Sequence, residues 1–141
     1  MKKNNVQIAK EVMRLTNVDV FKNTRKREVV EARSLLSTLL YKYKKNTLEN
    51  IARFYEENGK SMNHSTVIHA VRSFEVHKKY RKRLNDWLSI IVLDLNHIDS
   101  KAKRVFVIDQ INQLTDKQVS TLAELVQDMV NQNIALDTIY K

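Results

Sequence analysis

The chain contains no cysteine, no proline and one glycine among its 141 residues. Without cysteine it has no disulfide bond and no thiolate metal ligand, which is typical of proteins in a reducing compartment. Because proline is absent and Gly59 is the one glycine, few positions break a helix, and apolar residues at helical spacing fill most of the sequence. We therefore predict an all-α protein.

Long apolar runs are also lacking. The longest, Leu88–Leu93, is far shorter than the roughly 20 residues that cross a bilayer, and no charged-then-apolar leader opens the chain. We expect a cytoplasmic protein with no membrane partner. A single glycine cannot build a Gly-rich phosphate loop, and the histidines lack the spacing of a metal motif. We therefore expect no nucleotide, no cofactor and no metal.

Charge is divided unevenly along the chain, whose net charge is +9. Residues 1–83 hold 20 Lys and Arg against 8 Asp and Glu, whereas residues 84–141 hold 5 against 8. The first part is thus suited to a polyanion and the second is not. Basic composition alone would suit duplex DNA, RNA or an anionic membrane equally well.

The apolar spacing predicts a series of helices. The predicted segments are Asn4–Leu15, Glu28–Tyr43, a helix capped by Asn46 or Thr47, a turn over Glu56–Met62, a helix from Asn63 that continues past Arg83, then Trp87–Ile98, Lys101–Leu114, Asp116–Asn131 and a short tail Ile134–Tyr140. We divide the chain into residues 1–83 and a helical extension, residues 84–141.

The segment Asn63-His-Ser-Thr-Val-Ile-His-Ala70 passes abruptly from short polar side chains to a helical apolar pattern. Asn63 or Ser61 can cap the start of this helix, because their side-chain oxygens accept from unpaired backbone N–H groups. A helix with such a tip can also enter the major groove of DNA, where polar side chains contact base edges. Capping alone is the simpler interpretation of the same residues.

This segment resembles the signature of the C-terminal DNA-binding domain of DnaA, the bacterial replication initiator, which is usually Asp-His-Ser/Thr-Thr-Val-x-His-Ala. The resemblance covers roughly residues 5–80. It includes the basic stretch Thr24–Glu28, a helix that carries Arg33, and Thr47–Ala52 in the place of the first helix of the helix-turn-helix. It implies a helix-turn-helix bundle that binds double-stranded DNA, standing here without the ATPase domain and followed by the helical extension.

The resemblance also implies roles for individual residues. It places the tip of the recognition helix on bases in the major groove, Arg25 in the minor groove, and Arg33 and Arg72 on phosphates. Beside these, two cations of the basic stretch are natural phosphate partners, and two turn residues can touch the backbone. The predicted DNA-binding residues are Asn63, His64, Ser65, Thr66, Arg72, Arg25, Lys26, Arg27, Arg33, Lys60 and Ser61. A solvated charge run is the alternative for residues 25–27.

Three positions depart from the family pattern. Asn63 replaces the usual Asp, Ser73 replaces a usual Lys, and the turn Glu56–Met62 is longer than the family's link. The preferred DNA sequence should therefore differ from that of the family. We interpret His69, between Ile68 and Ala70, as a structural residue that bonds a neighbouring helix, and the basic residues 78–83 as a dispersed surface charge.

We expect a non-enzymatic, sequence-specific DNA-binding protein that acts in replication initiation or transcriptional control, associated with the nucleoid of a bacterial or phage-infected cell. One alternative is a helical scaffold that keeps the fold without specific DNA binding. Another is a HEPN-like ribonuclease, from the spacing Arg72-x-x-x-x-His77. Apolar residues in 84–141 predict a helical hairpin that supports a homodimer; the alternative is that they complete an internal core.

Overall fold

The computed structural model of the protein describes residues 5–94 and 100–140. These ranges contain α-helices and no strand, so the all-α prediction is confirmed. The helices are α1 Asn5–Thr16, α2 Arg27–Thr38, α3 Leu48–Glu57, α4 His64–His77, α5 Lys82–Asp94, α6 Ser100–Ile111 and α7 Asp116–Tyr140, and α2 continues directly into a π-helical turn, Leu39–Tyr43. The predicted helix ends Asn4 and Ile98 lie outside the described residues.

The chain forms two compact units, Met1–Lys103 and Arg104–Lys141. Helix α5 belongs to the first unit, where it packs on α1 and α2. The compact unit therefore extends beyond residue 83, after which we placed the division from sequence. The division into functional domains stays a prediction.

Helix α2 is the centre of the first unit. Every side chain from Glu31 to Leu40 is buried, because α1, α4 and α5 pack around this segment. Apolar side chains from each neighbouring helix complete the core, namely Ile8 and Val12, Ile51 and Tyr55, Val67 and Phe74, and Leu84 and Leu88. Each fully buried side chain of this kind contributes about 1.5–3 kcal/mol relative to exposure.

The buried hydroxyl of Tyr55 joins α3 to α2. It donates to the carbonyl oxygen of Arg33 at 3.1 Å, so its oxygen accepts from Ser37 Oγ, 2.9 Å away. Burial raises the pKa of Tyr55 above its usual range. The ring of Phe21 stacks edge-on against both Phe54 and Tyr55, with centroids 5.8 and 5.9 Å away, and so fixes the segment before α2 on α3.

Side-chain caps and one glycine determine where the helices of the helix-turn-helix begin and where the chain turns between them. Thr47 Oγ1 accepts from the backbone N–H of Asn50 at 3.1 Å and starts α3, as one of the two predicted caps. The turn that follows α3 contains Gly59, whose φ of 93° is strained for any residue with a Cβ atom. Asn63 then caps α4.

The prediction that the motif helix continues past Arg83 was wrong. Helix α4 ends at His77, and α5 begins at Lys82 after a short turn. No proline or glycine causes this break. The reversal buries Leu84 and Leu88 against the first unit and brings Arg81 and Arg83 to a carboxylate on α2, so tertiary contacts override the local helical preference.

That carboxylate is Glu31, which is 6% exposed and contacts three arginines. Its oxygens lie 3.0 Å from Arg27 Nε, 2.5 Å from Arg81 Nη1 and 2.8 Å from Arg83 Nη2. Burial raises the pKa of Glu31, but hydrogen bonds from Arg83 and Arg27 and the charges of Arg83 and Arg81 outweigh it, so the pKa lies below its usual range. Glu31 therefore holds the start of α5 on α2.

We expect Glu31→Gln to lower the free energy of unfolding by about 1–3 kcal/mol at pH 7, because three guanidinium groups lose their common counter-charge. Because the pKa of Glu31 is lowered in the folded state, its ionised form stabilises the fold at pH values above its pKa in the unfolded chain, about 4.3. The difference from wild type should therefore be complete at pH 7 and shrink as the pH falls below that value. Urea unfolding followed by circular dichroism, at pH 7 and at a pH below the unfolded pKa, measures this difference in stability.

The control is Asp86→Asn, which removes an exposed i,i+4 pair with Lys82 and should cost less than about 0.5 kcal/mol. Equal stability of wild type and Glu31→Gln at pH 7 would contradict the role assigned to this carboxylate.

Candidate nucleic-acid interface

An open groove of about 680 Å³ lies between α2, α4, the loop before α2 and the turn before α4. Five predicted DNA-binding residues line it, namely Arg25, Arg33, Lys60, Ser61 and Thr66. Three of them are cationic, and no acidic side chain is among the described residues of its wall. The groove is therefore suited to a phosphate-bearing ligand.

The buried guanidinium of Arg33 organises the loop that forms one wall. Its Nε donates to the carbonyl oxygen of Val20 at 2.7 Å, Nη1 donates to that of Thr24 at 2.9 Å, and Nη2 donates to that of Lys22. Burial lowers the pKa of Arg33 from its usual range. Since the planar fork is engaged by three carbonyls, Arg33 positions the neighbouring Arg25 in the loop.

Arg25 and Lys26 are exposed beside this fixed backbone. Within the described part of the chain, the guanidinium of Arg25 contacts no carboxylate and remains available to an external anion. Arg27, at the start of α2, is different. It is 63% exposed in its side chain but pairs with Glu31, and it lines a second hollow that adjoins the groove at Val30, Ser34 and Ser73.

The tip of α4 is capped and exposed. Asn63 Oδ1 accepts from the backbone N–H of Thr66 at 2.9 Å and from Thr66 Oγ1 at 3.0 Å. Capping and base contact use different atoms here, because the Nδ2 amide group of Asn63 is not part of the cap. A two-bond contact to adenine needs both Oδ1 and Nδ2, so the cap leaves Asn63 as a donor.

The other predicted residues of α4 are exposed but do not line the groove. His64 lies over a shallow hollow beside Tyr41 and Leu48. Ser65 and Arg72 are seven residues apart, so they share one side of α4. The structure thus distributes the predicted contacts over the groove, the helix tip and a second face of the helix.

The interpretation of His69 as a structural residue was wrong. His69 is exposed and lines the groove, one turn after Thr66 and one turn before Ser73. The structural role rests on the apolar neighbours Ile68 and Ala70, although adjacent residues of a helix point to different sides. The three- and four-residue spacing from Thr66 to Ser73 was the signal that could have placed it on this face.

The second basic run, residues 78–83, is only in part the dispersed surface charge that we predicted, since Lys79, Lys82 and Arg83 are exposed. Lys78 is buried and lies 2.9 Å from a Glu75 oxygen, while Arg81 and Arg83 contact Glu31. Most of these cations therefore neutralise carboxylates of the same chain. Arg25 and Lys60 at the groove, and Lys26 in the loop before it, have no such carboxylate partner among the described residues.

The structure does not bring together the residues of the ribonuclease pattern. His77 lies at the end of α4, where its Nδ1 is 3.2 Å from Ser73 Oγ, and it lines the hollow next to Glu31. Arg72 does not line that hollow. Five residues of helix place the two side chains about 140° apart around the axis.

None of the helices within residues 5–94 and 100–140 is long and apolar enough to cross a membrane. In the same ranges, no three His, Asp or Glu side chains are grouped as metal ligands.

Residues 6–73 match the family model of the bacterial dnaA protein helix-turn-helix. The matched segment ends at Ser73 within α4 and contains the loop, the groove-lining turn and the helix tip described above. Comparison with curated proteins and with solved structures gave no significant match. This family identifies residues 6–73 as a DNA-binding helix-turn-helix domain.

We expect Arg33→Lys to loosen the loop without removing the charge, because an ammonium group cannot donate to three carbonyls in one plane. Loss of two hydrogen bonds of about 1 kcal/mol each should raise local opening at least about tenfold. Limited trypsin digestion should then cleave after Lys22 and Arg25 correspondingly faster.

Arg53→Lys is the matched control, since Arg53 is exposed on α3 and bonds only the nearby side chain of Asn50 among the described residues. Digestion of Arg33→Lys at the wild-type rate would show that the loop does not depend on the guanidinium.

Proposed function

We propose that this chain, with its DnaA-type helix-turn-helix domain over residues 6–73, is a sequence-specific double-stranded DNA-binding protein. One observation carries the proposal: Arg25, Lys60 and Thr66 line one groove, whose described wall includes no acidic side chain, beside the exposed tip of α4. A helix tip and a basic loop on the same side of a protein can enter adjacent grooves of one duplex.

In the proposed complex the tip of α4 enters the major groove. His64, Ser65 and Thr66 are exposed there and offer an imidazole, two hydroxyls and a methyl group to base edges. Asn63 contributes an N–H donor, since its oxygen holds the cap. A good two-bond contact discriminates between the right and the wrong base by about 1–3 kcal/mol, and each single hydrogen bond offered here discriminates by less.

The cations supply affinity. Arg25 enters the minor groove from the loop that Arg33 holds, and Lys26, Lys60 and Arg72 lie on phosphates, with Ser61 donating its hydroxyl to the backbone. Arg27 adds positive potential while it remains paired with Glu31. Because each phosphate contact releases counterions, binding should weaken steeply as salt is added.

The biological role that we propose is replication initiation or transcriptional control on the nucleoid of a bacterial or phage-infected cell. A P-loop needs several glycines and these 141 residues contain one. ATP-dependent assembly would therefore have to come from outside these 141 residues. We further propose that two copies act together through residues 84–141, where apolar side chains of α7 are exposed.

We expect Arg25→Ala to weaken binding to a selected duplex about 10- to 100-fold, because it removes both a groove contact and a charge. The matched control is Arg14→Ala, which removes the same charge from α1, away from the groove; it should weaken binding less than about threefold. Duplexes obtained by in vitro selection and a random duplex, compared by fluorescence anisotropy, give the affinities.

Two outcomes would contradict the proposal. Equal affinity of the wild type for selected and random duplexes would leave no sequence specificity. Equal losses in Arg25→Ala and Arg14→Ala would mean that the loop makes no particular contact, as expected of a helical scaffold with a basic surface.

Asn63→Asp separates capping from base contact. A carboxylate caps a helix as well as an amide oxygen does, so the melting temperature should not fall. It cannot donate, however, and we expect affinity for the wild-type target to fall about tenfold, with a different base preferred at the contacted position on reselection. An unchanged target preference would indicate that Asn63 acts as a cap alone.

A further inference from the structure

We infer that α7 pairs with α7 of a second copy in a parallel two-stranded coiled coil. This helix has 25 residues, and from Asn112 to Ile134 every side chain is exposed except that of Leu122, which is half-buried. An internal core stays the alternative for these residues. An isolated helix in water is marginal unless an apolar face packs on a partner.

The apolar residues of α7 are spaced for another helix. Val119, Leu122, Val126, Met129 and Asn133 follow one another at intervals of three and four residues, which is the a and d spacing of a heptad repeat. Val126 and Met129 are 44% and 56% exposed. Valine at a with leucine at d favours two strands over three or four.

The charges of α7 permit pairing with an identical helix. Between Gln118 and Ile134 the charged residues are Glu124 and Asp128, at positions f and c on the outer side. The positions that flank the seam are all uncharged, namely Gln118, Ala123, Leu125, Val130 and Gln132. Two copies of an acidic helix can thus meet without like charges across the seam.

The length of the seam sets the expected strength of the dimer. The 15 residues from Val119 to Asn133 span about 22 Å, and half the circumference of a helix 10 Å across is about 16 Å. Pairing over this length would cover about 350 Å² on each copy, or about 700 Å² in total. That area is below the range of standard stable interfaces, so we expect a dimer that dissociates on dilution.

Asn133 selects the parallel orientation. In a parallel pair the two Asn133 side chains meet at one a layer and hydrogen-bond each other, which fixes the register. In an antiparallel pair centred on the helix, Asn133 would lie near Leu122 and Ala123, with its amide unpaired against apolar groups. An unsatisfied buried amide costs about 1–3 kcal/mol, so the parallel pair is favoured.

Light scattering on the full-length protein tests the stoichiometry. We expect a mass of twice 16.6 kDa that falls to one chain on dilution or in Val126→Asp, which buries two like charges in the seam. Thr121→Asp, at the outer position c, adds the same charge and should remain dimeric. A wild-type monomer at high concentration, or a tetramer, would overturn the inference.

Cross-linking tests the orientation, and the absence of native cysteine makes single-cysteine variants unambiguous. Under mild oxidation Val119→Cys, which keeps Asn133, should form a disulfide-linked dimer, since parallel a positions lie within disulfide reach. Glu124→Cys, on the outer side, should not. Equal cross-linking of the two variants, or cross-linking of Glu124→Cys alone, would contradict a parallel seam.

For DNA the consequence rests on the proposed function. A dimer carries two helix-turn-helix units, so a duplex with two target sites should be bound more tightly than one with a single site, by about 100-fold or more where the geometry permits. Val126→Asp should lose this gain and keep single-site affinity. A wild-type protein that does not bind the single-site duplex would instead count against DNA binding itself. The mass measured without DNA would still test the dimer.

Discussion

The guanidinium of Arg33 fixes the backbone conformation of the basic loop before α2. A loop of polar and charged residues has little apolar surface with which to fix itself, and its backbone carbonyls need donors. Arg33 supplies three N–H donors from the buried centre of α2, and the Phe21 ring anchors the same segment on α3. The cation beside it, Arg25, is thereby held at the edge of the groove before any ligand arrives. Such preorganisation reduces the entropy that binding costs.

Two buried charges of opposite sign on α2, Glu31 and Arg33, hold different parts of the first unit in place. Glu31 collects Arg27, Arg81 and Arg83, so these charges hold α5 on the first unit. Arg33 takes no carboxylate among the described residues and instead holds the loop. Arg25 and Lys60, which have no such partner among the described residues, line the groove. The net charge of the first 83 residues does not distinguish the cations that pair with Glu31 from those that line the groove.

The sequence predicted those features that depend on local chemistry. The caps at Thr47 and Asn63, the glycine turn and the helical motif all follow from short segments, and the family match over residues 6–73 confirms the DnaA resemblance. It failed where distant residues decide. The end of α4 depends on Glu31, fifty residues from Arg81, and the exposure of His69 depends on which side of α4 packs on α2. The DNA contacts assigned to residues of the motif stay predictions.

The central claim is that the tip of α4 and the Arg25 loop form one surface on duplex DNA. Nuclear magnetic resonance titration of the ¹⁵N-labelled protein with a selected duplex tests it most directly. The account predicts that the amide signals of Arg25, Lys60, Ser65, Thr66 and His69 shift together, while those of Glu124 and Asp128 on α7 do not. Shifts confined to other surfaces, with these amides unchanged at saturating DNA, would contradict it.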